Sequence, residues 1–231
     1  MYYTFDAPFV RILGLYSNVL EDPGVISDQN GTYSALDQRQ ITFLTTALKR
    51  AKSEKYPGAL IIATHRPPFT GGSDHGASPL MLSDLDNACT AAGVWPHAVF
   101  SGHAHNYQRF TRIASGFQIP YMAAGCGGHS PLSAMRSTIR TPYKIDDTIT
   151  LESYDDKDYG YLHVRECNNH ADRVPSSVGW RHNEDPRRRC HRQPVHLPSQ
   201  LMHQKCAARR VSPQYEPRFS NPPKILGFDS A

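Results

Sequence analysis

The run GALIIATH, Gly58 to His65, constrains this chain more than any other stretch. A continuous apolar segment this short, opened by glycine and closed by polar residues, suits a strand buried on both faces. Sheets covered on both faces belong to α/β architectures, so that is the fold class expected. HAVFSGH, residues 97–103, repeats the pattern: a short apolar strand that ends on a histidine.

The rest of the first two-thirds supplies the matching elements. PFVRILGLYS (8–17) is rich in β-formers and reads as a strand. Residues 19–34 carry Asp-Pro-Gly and Asn-Gly turn chemistry and read as a loop. Leu36, Ile41, Phe43, Leu44 and Leu48 mark a helix over 34–51, with Ser34 as N-cap and Asp37 as an acidic third residue. A second helix is expected over 79–92. Further strands are expected over 106–113, 118–124 and 159–166, with the Gly-rich corner AAGCGGH following the second of these.

Beyond residue 165 the chain changes character. Residues 1–165 hold 14 basic and 15 acidic side chains, whereas 166–231 hold 11 and 6, so the net charge of +4 comes from the last 66 residues. That segment shows neither helical nor strand periodicity and carries eight of the 18 prolines. Such a composition buries too little apolar area to offset its ordering entropy, and disorder is expected there. Two regions follow: a folded body over 1–165 and a basic Arg/Pro/His-rich tail over 166–231. The tail's abrupt onset is also what an out-of-frame reading of a gene would produce.

Composition narrows the class further. No run of eighteen apolar residues exists, so no membrane helix is expected. The opening MYYTFDAPFVRILGLYS lacks the pattern of a signal peptide. Five cysteines, with no Cys-x-x-Cys, suit free thiols at Cys89 and Cys126 rather than a disulfide scaffold. Cys167, His170, Cys190, His191 and Cys206 fit no zinc-finger spacing. The cluster PRRRCHR (186–192) is a weak pointer to nucleic acid, and no nucleic-acid partner is expected from it.

Chemistry gathers where two strands end on histidine. Ligands of α/β sheets collect outside the carboxyl ends of the strands, so His65, His103 and His105 can converge across forty residues of sequence. Neutral imidazole is the commonest protein ligand for zinc, iron and manganese. Gly102 is expected to permit a sharp turn before the His-x-His pair and a close approach of ions to the backbone.

ATHRPPF followed by GHAHNYQR resembles the last two ligand motifs of the calcineurin-like metallophosphoesterases. Tyr107 and Arg109 after the pair are similar to the purple acid phosphatase branch, as are the opening segment and the helix ending in LKRAK. The likeness spans about residues 1–165. It implies a layered α/β/β/α sandwich and a phosphoric ester hydrolase with two metal ions (Fe, Zn or Mn). His65 and His103 would hold one ion and His105 the other. His75, ten residues after the first motif, would contact the substrate phosphate as the catalytic and substrate-binding histidine, with Arg109 as a second substrate contact. For a full-length member the resemblance implies a secreted or periplasmic location.

The same resemblance exposes a gap. The family's upstream motifs, which supply a bridging carboxylate, an asparagine ligand and a further histidine, need Gly-Asp and Gly-Asn-His sequences, and this chain contains neither. Without a bridging carboxylate, two close divalent ions repel with little to offset them. The chain therefore reads as the carboxyl-terminal half of such a domain, binding metal weakly and turning over phosphate esters slowly or not at all. The alternative is a non-catalytic remnant that binds an anionic partner or nucleic acid through the basic tail. Among other residues, Arg66 is a second candidate to steer an anion, and Tyr107 to support the ligand histidines. Asp74 reads as orienting His75 or serving a turn, His97 reads as structural or solvated, and His129 reads as a turn histidine in a loop that could approach the site.

Overall fold

The computed structural model describes residues 2–17 and 39–165, and the backbone of residues 177–182. The described residues all fall in one compact unit, residues 1–196. Two helices lie among ten strands: β1 Tyr3–Asp6, β2 Val10–Gly14, α1 Arg39–Ser53, β3 Ala59–Ala63, α2 Pro79–Ala92, β4 Ala98–Ser101, β5 Tyr107–Ala114, β6 Phe117–Ala124, β7 Tyr143–Lys144, β8 Ile149–Asp155, β9 Gly160–Arg165 and β10 Ser177–His182. The class is α/β, as expected.

Eight strands form one mixed sheet in the order β1-β2-β3-β4-β6-β5-β8-β7. β2, β3, β4 and β6 run parallel at its centre, β1 is antiparallel on one edge, and β5, β8 and β7 are antiparallel on the other. β9 and β10 pair separately as an antiparallel ribbon.

Register explains the core. Leu13, Ile62, Val99, Tyr121, Phe110 and Leu151 lie side by side across six strands. Each is 3% exposed or less, and all belong to one apolar cluster. Leu44, Ala47, Leu48 and Ala51 of α1 face this row at helical spacing, as do Met81, Leu85, Ala88 and Cys89 of α2. Burying side chains of this size contributes about 1.5–3 kcal/mol each. On the opposite sheet face Ala59 and Ile61 are buried too, which is why the run is continuously apolar.

Polar ties fix the helices on the sheet. Arg112 of β5 pairs with Asp86 of α2 and stands 3.3 Å from the Tyr121 hydroxyl. Burial alone would lower the Arg112 pKa, and the hydrogen bonds and charges of Asp86 and Tyr121 together outweigh it, so the net shift is upward. Gln40 of α1 brackets the Tyr16 backbone, accepting its N–H at 2.6 Å and donating to its carbonyl at 2.7 Å. α2 starts on Pro79 and ends on Gly93, whose φ of 64° places it in the left-handed region, as helix termini prefer. Cys89 and Cys126 are free and buried, and burial pushes both thiols up to about 12.

Several expectations need adjusting. The strand read over 8–17 is the shorter β2, Val10–Gly14, because Pro8 sits in a turn closed by the Ala7 N–H and the Val10 carbonyl at 2.9 Å, and β1 before that turn was not anticipated. β7 and β8 were not anticipated, although β8 buries Ile149 and Leu151 alternately. Within the tail, residues 177–182 pair with β9 rather than lacking structure. Ser34, Asp37, the 19–34 loop and the tail's cysteines and arginine cluster lie outside the described residues.

One close approach positions the histidine loop. A Cβ at Gly125, just past β6, would stand 2.0 Å from the Ala104 carbonyl oxygen between the paired histidines. Gly125→Ala is expected to cost about 2–3 kcal/mol, read by denaturant unfolding, through displaced backbone. An unchanged midpoint would show that the loop gives way freely.

Candidate functional site

His65 and His103 meet because β3 and β4 are parallel neighbours whose pairing continues past their ends. The Thr64 N–H donates to the Phe100 carbonyl at 2.9 Å, and the Gly102 N–H donates to the His65 carbonyl at 2.9 Å. Ser17, at the end of the strand before, accepts from the N–H groups of His65 and Arg66 at 3.0 and 2.8 Å. Three strand ends are thereby locked together beneath the rings.

The sharp turn falls on His103 rather than on Gly102. His103 has φ of 63°, while a Cβ at Gly102 would make only ordinary contact, 3.8 Å from the His65 carbonyl. Holding a histidine in the left-handed region costs about 1–2 kcal/mol. Strain of this kind persists where the surroundings over-determine it, commonly at functional sites.

The rings form a connected series of five. His65 and His103 have centroids 5.0 Å apart at 71°, His103 and His75 4.7 Å, His75 and His105 4.5 Å, and His105 and His129 are stacked at 3.9 Å. His75 thus touches one member of each expected ligand group. His129, read from sequence as a turn residue, stacks on His105; its signal was the Gly-rich corner at the end of β6, on the same sheet edge.

A buried amide network carries the two loops that supply His75 and His129. Gln108 of β5 donates to Asn106 Oδ1 at 2.8 Å and to Thr70 Oγ1 at 2.9 Å, and accepts the Gly71 N–H at 2.7 Å. Asn106 donates to the Ser133 carbonyl at 2.8 Å. A bridge between Gly72 and Met135, with the Ser73 N–H on the Ala134 carbonyl, zips the loops to each other. Gln108 and Asn106 are fully buried, so losing one partner strands the other.

Electrostatics keep the core rings neutral. Burial lowers the His103 pKa to about 4, with Arg66 and the neighbouring histidines adding to it. His65 is lowered by burial, then by Arg66 and His75. His105 is lowered by burial and by His129 and His75, against a smaller opposing effect of Asp74. The cation that reaches His65 and His103 is Arg66. Arg109 is buried in β5, where its field acts on Tyr107. Asp74 accepts from the Ser73 hydroxyl at 3.3 Å, and Tyr107 packs with Cys126 away from the apolar cluster beneath the helices. His97 accepts the Leu60 N–H at 2.8 Å, at the far end of β3.

The donor set fits part of a metal centre. His65 Nε2 and His103 Nδ1 are 3.2 Å apart. Two imidazole nitrogens on one ion at ordinary bond lengths stand roughly 3.0–3.4 Å apart. His103 Nε2 is buried with no hydrogen-bond partner among the described residues. A complete set is lacking, however: among the described residues no three His, Cys, Asp or Glu side chains are arranged to hold an ion.

No family model and no curated protein matches the chain. Among solved structures it is similar to GAP50, the anchor in the inner membrane complex of Plasmodium, at 13% identity and a TM-score of 0.47, over 86% of this chain and 55% of that one. It is also similar to a structure of PhoD, at 12% identity and a TM-score of 0.38, over 53% of this chain and 28% of that one. The chain spans about half the length of the first and less of the second. Neither likeness carries an activity over to it.

A depressed histidine pKa has a fixed sign in stability. Unfolded His103 titrates near 6.5 and folded His103 near 4, so protons bind the unfolded chain preferentially between those values. The stability is fully present above pH 6.5 and is lost as pH falls towards 4. Asp84 works oppositely, since burial pushes its carboxyl up to about 7. The wild type and His103→Asn, whose asparagine tolerates the left-handed backbone, must therefore be compared at each pH. In metal-free protein the wild type is expected to lose Tm relative to the variant between pH 7 and 4.5. Parallel curves would contradict a buried neutral His103.

Proposed function

We propose that the cluster is the histidine half of a dinuclear centre that hydrolyses phosphoric esters of the acid phosphatase type. The observation that supports the reading most is the 3.2 Å separation of His65 Nε2 and His103 Nδ1, with both rings held neutral. In this reading His65 and His103 present lone pairs to one ion and His105 to the other. Bound ions would supply polarisation of a phosphoryl oxygen and a lowered pKa for attacking water.

The chain's own groups supply the rest. His75, in ring contact with both His103 and His105, stands where a phosphate spanning the two ligand groups would sit and offers it a hydrogen bond. Arg66 places positive charge beside His65 and His103, which favours an anionic ester. Arg109 supports the β5 end of the site from beside Tyr107. The amide network around Gln108 holds His75 over the pair.

Among the described residues no carboxylate completes the set to join two ions, so binding should be weak and turnover marginal. Metal titration of the purified chain with Zn, Mn and Fe, followed by p-nitrophenyl phosphate assay, tests this. The expected result is weak binding that falls at least about tenfold in His103→Ala, with turnover barely above the metal-only rate. Tight binding of two ions with robust turnover would refute the half-site, and absence of any His103-dependent binding would refute the metal reading.

A further inference from the structure

At the opposite end of β3 and β4, about 16 Å from the histidines at strand rise, lies a second concavity. It has a volume of about 400 Å³ and is walled by Lys52, Lys55, Tyr56, Trp95 and His97, with Leu60 and Gly58 at its floor. A volume of this order suits a small organic ligand.

The charged groups on the wall are all of one sign. No Asp or Glu lines it, and two ammonium groups do. Lys52 makes one long bond, 3.4 Å to the Ala92 carbonyl, which leaves donors over. Lys55 and the Trp95 indole N–H have no partner among the described residues. His97 accepts the Leu60 N–H through Nδ1, which fixes its ring against the floor. Tyr56 is fixed as a rigid wall, its hydroxyl donating to the Ala7 carbonyl at 3.0 Å and its ring lying 4.5 Å from the Arg11 guanidinium. The side chains thus offer donors and positive charge, together with aromatic surface.

Lys55 occupies a place where glycine would be easier. It follows α1 with φ of 49°, and its N–H and that of Tyr56 close the helix on the Lys52 and Ala51 carbonyls. Glycine is the usual residue at such a cap, so an ammonium is held beside the concavity at some expense of backbone strain.

We infer that this concavity is a binding site for a planar aromatic anion, an aryl carboxylate or aryl phosphate, separate from the histidine cluster. The aromatic body lies against Trp95 and Tyr56, and the anionic group faces Lys52 and Lys55. Neither the aromatic ring nor the anion alone satisfies both halves of the wall.

The test is a titration of the full ¹⁵N-labelled chain with 1-naphthoate, following the Trp95 indole cross-peak, assigned with Trp95→Phe. A saturable shift with a Kd on the order of 0.1–1 mM is expected. Neutral 1-naphthylmethanol and acetate should each bind at least about fivefold more weakly. Lys55→Gly should bind about fivefold more weakly while unfolding at a higher temperature, which separates lost charge from lost fold. Any of four results overturns the inference: no saturable shift, equal affinity for the neutral analogue, unchanged affinity in Lys55→Gly, or shifts at the His103 ring with Trp95 still.

Discussion

The Gly102 N–H donating to the His65 carbonyl is the bond on which the site depends. It continues the β3–β4 ladder one step past both strands, so the two histidines that terminate them are held at a fixed offset. Parallel pairing makes this possible, because parallel neighbours end on the same sheet edge. The apolar row from Leu13 to Leu151 supplies the energy that keeps those strands in register, and helices α1 and α2 cover it. A one-residue slip would turn His65 and His103 to opposite faces, and would expose the row that the helices bury.

The rest of the cluster is carried by polar groups rather than apolar ones. Gln108 and Asn106 are buried amides whose bonds reach two loops far apart in sequence. They hold His75 and bring His129 onto His105. Cost is visible at His103, whose backbone is strained and whose ring is desolvated to a pKa of about 4.

Much of this was legible along the chain. The two apolar runs ending on His65 and His103 located the parallel strands, and α2 was readable over 79–92. What escaped has physical reasons. Pro8 sits in the turn between β1 and β2, so the strand read from residue 8 begins only at Val10. The left-handed turn at His103 looked like a task for Gly102, because glycine is the cheaper residue there; the paired loop ends override that preference. His129 gave only a proximity signal, since the stacking on His105 depends on Gln108 and Ser133 drawing two loops together. Arg109 was the substrate contact the resemblance implied and Arg66 only a further candidate, whereas the fold sets Arg66 beside the rings and Arg109 beside Tyr107.

The central claim is that His65 and His103 share one ion through facing nitrogens. Histidine side-chain ¹⁵N spectra during Zn(II) addition to the metal-free chain test it most directly. The account predicts that His65 Nε2 and His103 Nδ1 shift together along one binding curve with a shared midpoint, while His97, at the other end of β3, does not move. Independent saturation of the two rings, or a first shift at His97, would contradict it.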